Sequence, residues 1–343
     1  MGGSVVTGPP EYQRTFAVQH AVSPLRGTER GLARTGGNTV TFPTVTFAGA
    51  VLALDIGGTH ITAASVNASG LGSQVRLPVN GEASAPEILD TWAEAALLGA
   101  GQTPVAAVGV SVPGPFDYAG GTAHFEHKLH ALTGLNISAA LRKRWIGTPL
   151  DGLPISYLND AVAFALGEFT VRQGRGVHRL LGLTLGTGLG SGFIVDGHPG
   201  TAEEGVSSGG EVWQLPFRGG VAEDFTCAPA LRRAYQALSG EDLDARQIAQ
   251  LAETGDDRAR QVYQDLGRDL AAALSPCVQA FRPDLIVLGG QVSRAWAHFE
   301  MPLRAGLRPF KVACSSLLDE ANLLGAAALY RPMLGLSPPL DAR

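Results

Sequence analysis

Asp55-Ile56-Gly57-Gly58-Thr59, preceded by the apolar residues 51–54 (VLAL), is the stretch that most constrains the architecture of this chain. A related stretch lies at residues 183–190 (LTLGTGLG). In both, the apolar run predicts a buried strand and the glycines predict a tight turn. Glycine lets backbone amides approach an anion closely, and threonine adds a hydroxyl donor. One such loop is often structural, but two in one chain predict a phosphate clamp.

Strands and helices alternate along the rest of the chain, which predicts an α/β fold. A helix beginning at Ser84-Ala85-Pro86-Glu87 carries apolar residues on one face, as expected for a helix that covers a sheet. The predicted strands are 51–55, 60–67, 105–112, 154–158, 180–185 and 285–288, and the predicted helices are 85–98, 161–168, 226–238 and 322–329.

Polar residues follow several of these strands. Asn159 and Asp160 stand between the strand 154–158 and the next helix, so one interpretation is a helix N-cap. The other is that Asp160 is a general base for a substrate hydroxyl, because it lies at a strand end between the two phosphate-type loops. Asp55 is a carboxylate suited to organising a hydrated magnesium ion.

Composition excludes several classes of protein. The 343 residues are 45% hydrophobic, enough for a large core divided between two domains. A net charge of −5 gives no basic face for nucleic acid, and no apolar run reaches the 18 residues of a membrane span. The three cysteines (Cys227, Cys277 and Cys314) are widely spaced, without a C-x-x-C pair. We therefore expect neither nucleic acid nor membrane as a partner, and a cytoplasmic location.

The first 48 residues differ from the rest of the chain. They contain Pro9-Pro10, Gly36-Gly37 and no sustained apolar period, so we expect a disordered N-terminal extension. No compact apolar stretch follows a basic start, which argues against a secretory signal.

Together these motifs resemble those of the ROK (repressor, open reading frame, kinase) family. Similarity covers residues 50–330 and rests on five motifs in order: Asp55-Ile56-Gly57-Gly58-Thr59, Pro113-Gly114-Pro115, Leu158-Asn159-Asp160-Ala161, Gly186-Thr187-Gly188 and Leu288-Gly289-Gly290. The resemblance implies a two-domain, actin-like ATPase (ribonuclease H-like) fold with an interdomain cleft. It also implies a sugar kinase that phosphorylates a hexose, and a homodimer. Residues 49–157 plus 319–335 would form the phosphate-binding domain, and residues 158–318 the sugar- and nucleotide-binding domain.

By the same resemblance, Asp160 is the catalytic base and Asn159 holds a sugar hydroxyl, with Pro113 and Gly114 beside the sugar. ATP and Mg²⁺ are the implied cofactors, and Asp55 would hold Mg²⁺ through water. The residues implied to border the nucleotide and its phosphates are Asp55, Gly57, Gly58, Thr59, Gly186, Thr187, Gly188, Gly289 and Gly290.

The residues that would contact the sugar depart from the family pattern. Glu211 is present, but Gln214 stands where the family usually has a histidine, and the cysteines of its zinc loop are missing, so no zinc site is expected. The family's next sugar-binding glutamate aligns with Glu223, and Trp213 could offer an apolar plate to a sugar ring. Alternatively, Glu223-Asp224 merely places negative charge at a helix start, and the tryptophan is a core residue.

Two segments carry further alternatives. Histidines at spacings of three in residues 124–130 could bind a metal only if the stretch were helical, and we favour a solvated or substrate-lid segment. The family resemblance implies that this loop approaches the sugar, so that His127 or Lys128 could touch it. The basic run 171–179 is interpreted as a surface connection, although it could receive polyphosphate in place of ATP. Besides the kinase, a sugar-binding regulator and a pseudokinase without turnover stay open.

Overall fold

The computed structural model describes residues 49–126, 128–173 and 175–334. The expected disordered extension 1–48, His127 and the C-terminal residues from 335 onward lie outside the described residues. The described strands, in chain order, are β1 (Ala50–Ile56), β2 (His60–Asn67), β3 (Gly70–Leu71), β4 (Val75–Pro78), β5 (Val105–Val112), β6 (Phe116–Asp117), β7 (Thr122–Ala123), β8 (Ile155–Asn159), β9 (Arg179–Leu185), β10 (Leu189–Val195), β11 (His198–Pro199), β12 (Pro216–Phe217), β13 (Gly220–Val221), β14 (Leu285–Gly289) and β15 (Val312–Cys314).

Helices follow the strands in an α/β order. They are α1 (Ala85–Ala100), α2 (Ile137–Arg144), α3 (Asp160–Thr170), α4 (Glu223–Thr226), α5 (Ala228–Ser239), α6 (Ala245–Thr254), α7 (Asp257–Phe281), α8 (Trp296–Gly306) and α9 (Glu320–Ala327). Helix α1 begins at a capping box between Ser84 and Glu87 and buries Ile88 and Trp92, as its sequence predicts. No described helix combines the length and apolar character needed to cross a membrane.

Two mixed sheets with the same core topology organise the molecule. The first has the order β3-β2-β1-β5-β8, with β4 also paired to β2, and the second has the order β11-β10-β9-β14-β15. In each, an antiparallel hairpin (β1-β2 or β9-β10) is followed by two parallel strands. The first strand of each hairpin therefore ends beside its parallel neighbours, where binding residues commonly lie in α/β proteins.

Most of the predicted strands and helices are confirmed within one or two residues at each end. The predicted helix 226–238 is wrong in its start, because the structure has two helices, α4 and α5, separated by Cys227. Cys227 has extended backbone angles, and Pro229 lies in the first turn of α5, where a missing N–H is tolerated. The predicted helix 322–329 is displaced: α9 ends at Ala327 and continues as a 3₁₀ segment, Ala328–Leu334.

Helices α3 and α9 pack backbone to backbone between the two sheets. A Cβ on Gly325 would lie 1.8 Å from the carbonyl oxygen of Ala163, and a Cβ on Gly167 would lie 1.9 Å from that of Ala321. On its other side α9 covers the first sheet, where a Cβ on Gly109 of β5 would lie 2.1 Å from the carbonyl oxygen of Ala326. Glycine at these positions therefore lets three backbones approach more closely than any side chain would allow.

We expect Gly325→Ala to lower the free energy of unfolding by roughly 3 kcal/mol, because the new methyl group overlaps a backbone carbonyl that cannot rotate away. Urea denaturation of the full chain measures this change, with exposed Glu94→Ala on α1 as the control. A loss below about 0.5 kcal/mol, the range of ordinary surface substitutions, would contradict the packing described here.

Candidate active site

Asp55 and Asp160 line one cavity between the two sheets. Asp55 is the penultimate residue of β1, and Asp160 begins α3 directly after β8. Both strands pair with β5 in parallel, so the two carboxylates emerge at the same edge of the sheet. The cavity has a volume of about 190 Å³ and is lined by Asp55, Asp160, Phe164, Thr184, Gly290, Gln291, Arg294, Leu318, Asp319 and Asn322.

Hydrogen bonds from two different elements hold the Asp55 carboxylate. Ser111 Oγ on β5 donates to Asp55 Oδ1 at 2.8 Å, and Asn322 Nδ2 on α9 donates to the same oxygen at 2.9 Å. Burial raises the pKa of Asp55, and these two donors oppose the rise. The two hydrogen bonds thus fix the orientation of the carboxylate, and both of them are accepted by Oδ1.

Asp160 carries a strongly shifted pKa. Burial raises the pKa of Asp160 to about 6, the negative charge of Asp55 adds to the rise, and the backbone N–H of Ala161, 2.8 Å from Oδ1, opposes it. A carboxylate with a pKa near neutrality can accept a proton from a substrate hydroxyl more readily than an exposed aspartate can.

Asn159 caps α3, as the simpler of the two interpretations predicted. Its Oδ1 accepts from the N–H groups of Ala161 and Val162 at 3.0 and 3.4 Å, and its Nδ2 donates to the hydroxyl of Tyr118 at 3.1 Å. A Cβ on Gly114 would lie 3.3 Å from that hydroxyl. The structure therefore brings the loop that follows Pro113 against Asn159, with Tyr118 between them.

The first phosphate-type loop is a tight turn between β1 and β2. Gly57 N–H donates to the carbonyl of His60 at 2.9 Å, and Thr59 Oγ1 lies 3.1 Å from His60 Nδ1. Thr59 is exposed, and Gly58 lies beneath the side chain of Lys128. The loop thus presents backbone and hydroxyl groups to solvent at the end of β1.

The second phosphate-type loop is the turn between β9 and β10. Gly186 N–H donates to the carbonyl of Gly188 at 3.0 Å, and Thr187 is exposed at the tip. Glu223 Oε2 accepts from Leu189 N–H at 2.7 Å, and a Cβ on Gly188 would lie 2.5 Å from the same oxygen. Glu223 therefore anchors this loop, a contact that its predicted role as a sugar ligand did not include.

Gly289 and Gly290 occupy different environments. Gly289 is buried in β14, and a Cβ there would lie 2.4 Å from the ring of Phe164. Gly290 has a φ of +84°, which favours glycine, and lines the cavity. Only the second glycine is thus brought to the cavity.

Glu211, Trp213 and Gln214 lie on one short exposed segment. Gln214 Nε2 donates to Glu211 Oε2, and Trp213 is 38% exposed rather than a core residue. Ser191 Oγ on β10 donates to the carbonyl of Gly210 at 2.7 Å and accepts from Val212 N–H at 3.1 Å. The segment is therefore fixed to the second sheet on both sides of Glu211.

Several residues of this site were missed by sequence reasoning. Ser111 could have been noticed as a hydroxyl near the end of an otherwise apolar strand, and Asn322 as a polar residue early in a helix of small residues. Asp319, Arg294 and Tyr118 lie in loops or in a 3₁₀ turn and carry no comparable signal.

Two metal sites were considered from the sequence: a histidine site in residues 124–130 and a Mg²⁺ site at Asp55. Among residues 49–126, 128–173 and 175–334, no group of three or more His, Cys, Asp or Glu side chains is arranged to hold a metal ion directly. Residues 124–126 and 128–129 are not helical, and His124 and His130 are exposed. A hydrated Mg²⁺ fits this geometry, because it keeps several waters and needs only one or two carboxylates besides the phosphates.

Comparison with known proteins places the fold in the class of actin-like ATPases. The sequence model of the ROK family matches residues 51–332, and the chain belongs to this family. It is 26% identical to a glucokinase of Thermotoga maritima over 317 residues, which covers 83% of this chain and 98% of that protein.

Solved structures agree with this assignment. A ROK hexokinase from Thermus thermophilus is 28% identical, with a TM-score of 0.68 over 81% of this chain and 97% of that one. An inorganic polyphosphate/ATP-glucomannokinase from Arthrobacter sp. strain KM is 26% identical, with a TM-score of 0.58 over 81% and 97%.

We expect Asp160→Asn to stabilise the protein at pH 8 and to leave its stability unchanged near pH 4. The folded pKa of Asp160 lies at about 6, above its ordinary value of 3.8, so ionisation opposes folding as the pH rises through this window. An uncharged amide removes that cost, worth roughly 2 kcal/mol above pH 7. Urea denaturation at the two pH values measures the difference, with the exposed Glu253→Gln on α6 as the control. A gain of equal size at both pH values would contradict the assignment.

Proposed function

We propose that this protein transfers the terminal phosphoryl group of ATP to a hydroxyl group of a hexose, with Asp160 as the general base. The observation that carries this proposal is the cavity shared by Asp55 and Asp160, together with the pKa of Asp160 at about 6. The glucokinase and hexokinase relatives support the same reaction class and a hexose as the acceptor.

In the proposed step, the sugar oxygen bonds to the γ-phosphorus as the bond from that phosphorus to the β–γ bridging oxygen breaks. The hydroxyl proton moves to Asp160, and ADP leaves. Asp160 Oδ1 already accepts from Ala161 N–H, so Oδ2 is the oxygen we assign to the proton. Phosphoryl transfer requires mainly positioning and charge stabilisation, which fits a site with one base and two backbone turns.

Asp55 is the residue we assign to Mg²⁺, through water. The bound ion would neutralise charge on the phosphates. Ser111 and Asn322 both donate to Asp55 Oδ1, so Oδ2 is the oxygen that we assign to the water shell of the ion. Gly57, Gly58 and Thr59 on one side, and Gly186, Thr187 and Gly188 on the other, are the proposed phosphate contacts, with Gly290 nearer the nucleoside.

ATP is preferred over polyphosphate as the donor, because two arginines of the basic run 171–179 have contacts within the protein. Arg172 pairs with Glu168, whose side chain is fully buried, and Arg179 donates to the carbonyl of Phe281 at 2.7 Å while stacking over its ring. The Arg172 pair lies at the C-terminal end of α3, and Arg179 joins β9 of the second sheet to α7. The expected homodimer, the cytoplasmic location and the division of the chain into domains stay predictions.

Sugar-dependent ADP release tests the reaction. We expect turnover with Mg²⁺-ATP and at least one sugar among glucose, fructose, mannose, allose and the N-acetylated hexosamines. Asp160→Asn should lower kcat by about 10³-fold, as loss of a general base does. Polyphosphate in place of ATP tests the donor. Folded protein without turnover on any sugar or donor would refute the kinase and favour the sugar-binding regulator or pseudokinase.

Glu211 is the residue that we expect to set affinity for the sugar. Glu211→Gln should raise the KM for the sugar by about 10-fold or more, because a carboxylate that accepts from hydroxyl groups is replaced by a weaker acceptor. The value of kcat should change less than the KM. Glu253→Gln on α6 serves again as the matched control, and an unchanged KM in the Glu211 variant would remove Glu211 from the sugar site.

A further inference from the structure

Lys128 lies across the first phosphate-type loop. A Cβ on Gly58 would lie 2.4 Å from Lys128 Cδ and 3.4 Å from both Cε and Nζ. The φ angle of Gly58 is not positive, so the backbone conformation alone does not demand glycine at this position. The position of Lys128 does require glycine here, because any side chain at residue 58 would displace the lysine side chain.

The backbone beneath Lys128 is fixed to the same loop. Leu129 is buried in a left-handed conformation (φ 62°), and its N–H donates to the carbonyl of Gly81 at 3.1 Å. Gly81 in turn packs against the carbonyl of Gly58, and Val79 N–H donates to the carbonyl of Thr59 at 2.8 Å. Three separate segments thus meet at one point, and their hydrogen bonds hold the lysine over residue 58.

Lys128 brings positive charge to a loop that has none of its own. The loop 55–59 contains a carboxylate, Asp55, and no cationic side chain. Arg76, the cation on neighbouring β4, is paired with Asp319 at 3.2 Å and contacts His60 at 2.9 Å. Lys128 is exposed and belongs to none of the ion pairs found among the described residues. Its ammonium group therefore has three N–H donors available beside the turn.

We propose that Lys128 binds the terminal phosphoryl group of the donor and stabilises the charge on its non-bridging oxygens during transfer. The lysine forms no covalent bond with the substrate and transfers no proton, so its role is electrostatic. This assignment rests on the proposed kinase function, and it differs from the sugar contact that the sequence suggested for the same residue.

Steady-state kinetics of Lys128→Met test the assignment. Methionine keeps an unbranched chain over Gly58 but removes the charge, so kcat should fall by about 100-fold, with the KM for the sugar within twofold of the wild type. Lys128→Arg should retain most of the activity, and Lys143→Met, an exposed lysine on α2, should match the wild type. A large rise in the KM for the sugar with an unchanged kcat would overturn the proposal.

Calorimetric titration provides a second readout that needs no turnover. With Mg²⁺ present, Lys128→Met should bind the non-hydrolysable ATP analogue AMPPNP about 10-fold more weakly than the wild type, while ADP binds equally to both. Equal losses for the two nucleotides, or no loss, would show that the lysine does not contact the terminal phosphate. Because no sugar is required, this result is independent of whether the acceptor is a hexose.

Discussion

The close packing of α3 against α9 is the constraint on which the site depends. Gly167 and Gly325 allow the two helix backbones to touch, so that no side chain separates them. Helix α3 begins with Asp160, and α9 carries Asn322, which holds Asp55. One helix contact thus sets the relative position of both carboxylates, and it also joins the first sheet to the helix that covers the second.

This arrangement creates an electrostatic conflict that suits catalysis. Burial raises the pKa of both aspartates in the cavity, and the negative charge of Asp55 raises the pKa of Asp160 further. Side-chain donors from Ser111 and Asn322 oppose the rise at Asp55, whereas backbone N–H groups of Ala161 and Asp160 oppose it at Asp160. The two environments therefore separate the roles: Asp55 is supported as an anion, and Asp160 is left as the group that more readily accepts a proton.

Lys128 and Arg76 are cations near the first phosphate-type loop, and the structure uses their charges differently. Arg76 pairs with Asp319, so its charge is used within the protein. Lys128 contacts the phosphate-type loop through its carbon chain and leaves its ammonium for a ligand. The loop itself offers a phosphate backbone and hydroxyl donors. The positive charge that contacts a bound phosphate would therefore come from side chains outside residues 55–59.

The fold was largely predictable from the sequence, because apolar runs followed by glycine identify β1, β9 and β14 locally. The carboxylates at strand ends were predictable for the same reason. Partners distant in sequence were not: Asn322 reaches Asp55 across 267 residues, and Lys128 reaches Gly58 through a loop without periodicity. The hydrogen bond from Leu189 N–H to Glu223 was not predictable either, because it depends on the position of the turn between β9 and β10, which is distant in sequence from Glu223.

The pH dependence of kcat/KM, measured with a sugar that supports turnover, tests the central claim most directly, because kcat/KM reports the pKa values of the free enzyme. If Asp160 is the base, kcat/KM should be constant above pH 7 and should fall tenfold per pH unit below a pKa of about 6. A kcat/KM that stays constant down to pH 4.5, in protein that is still folded there, would contradict the assignment of Asp160 and with it the account of the paired carboxylates.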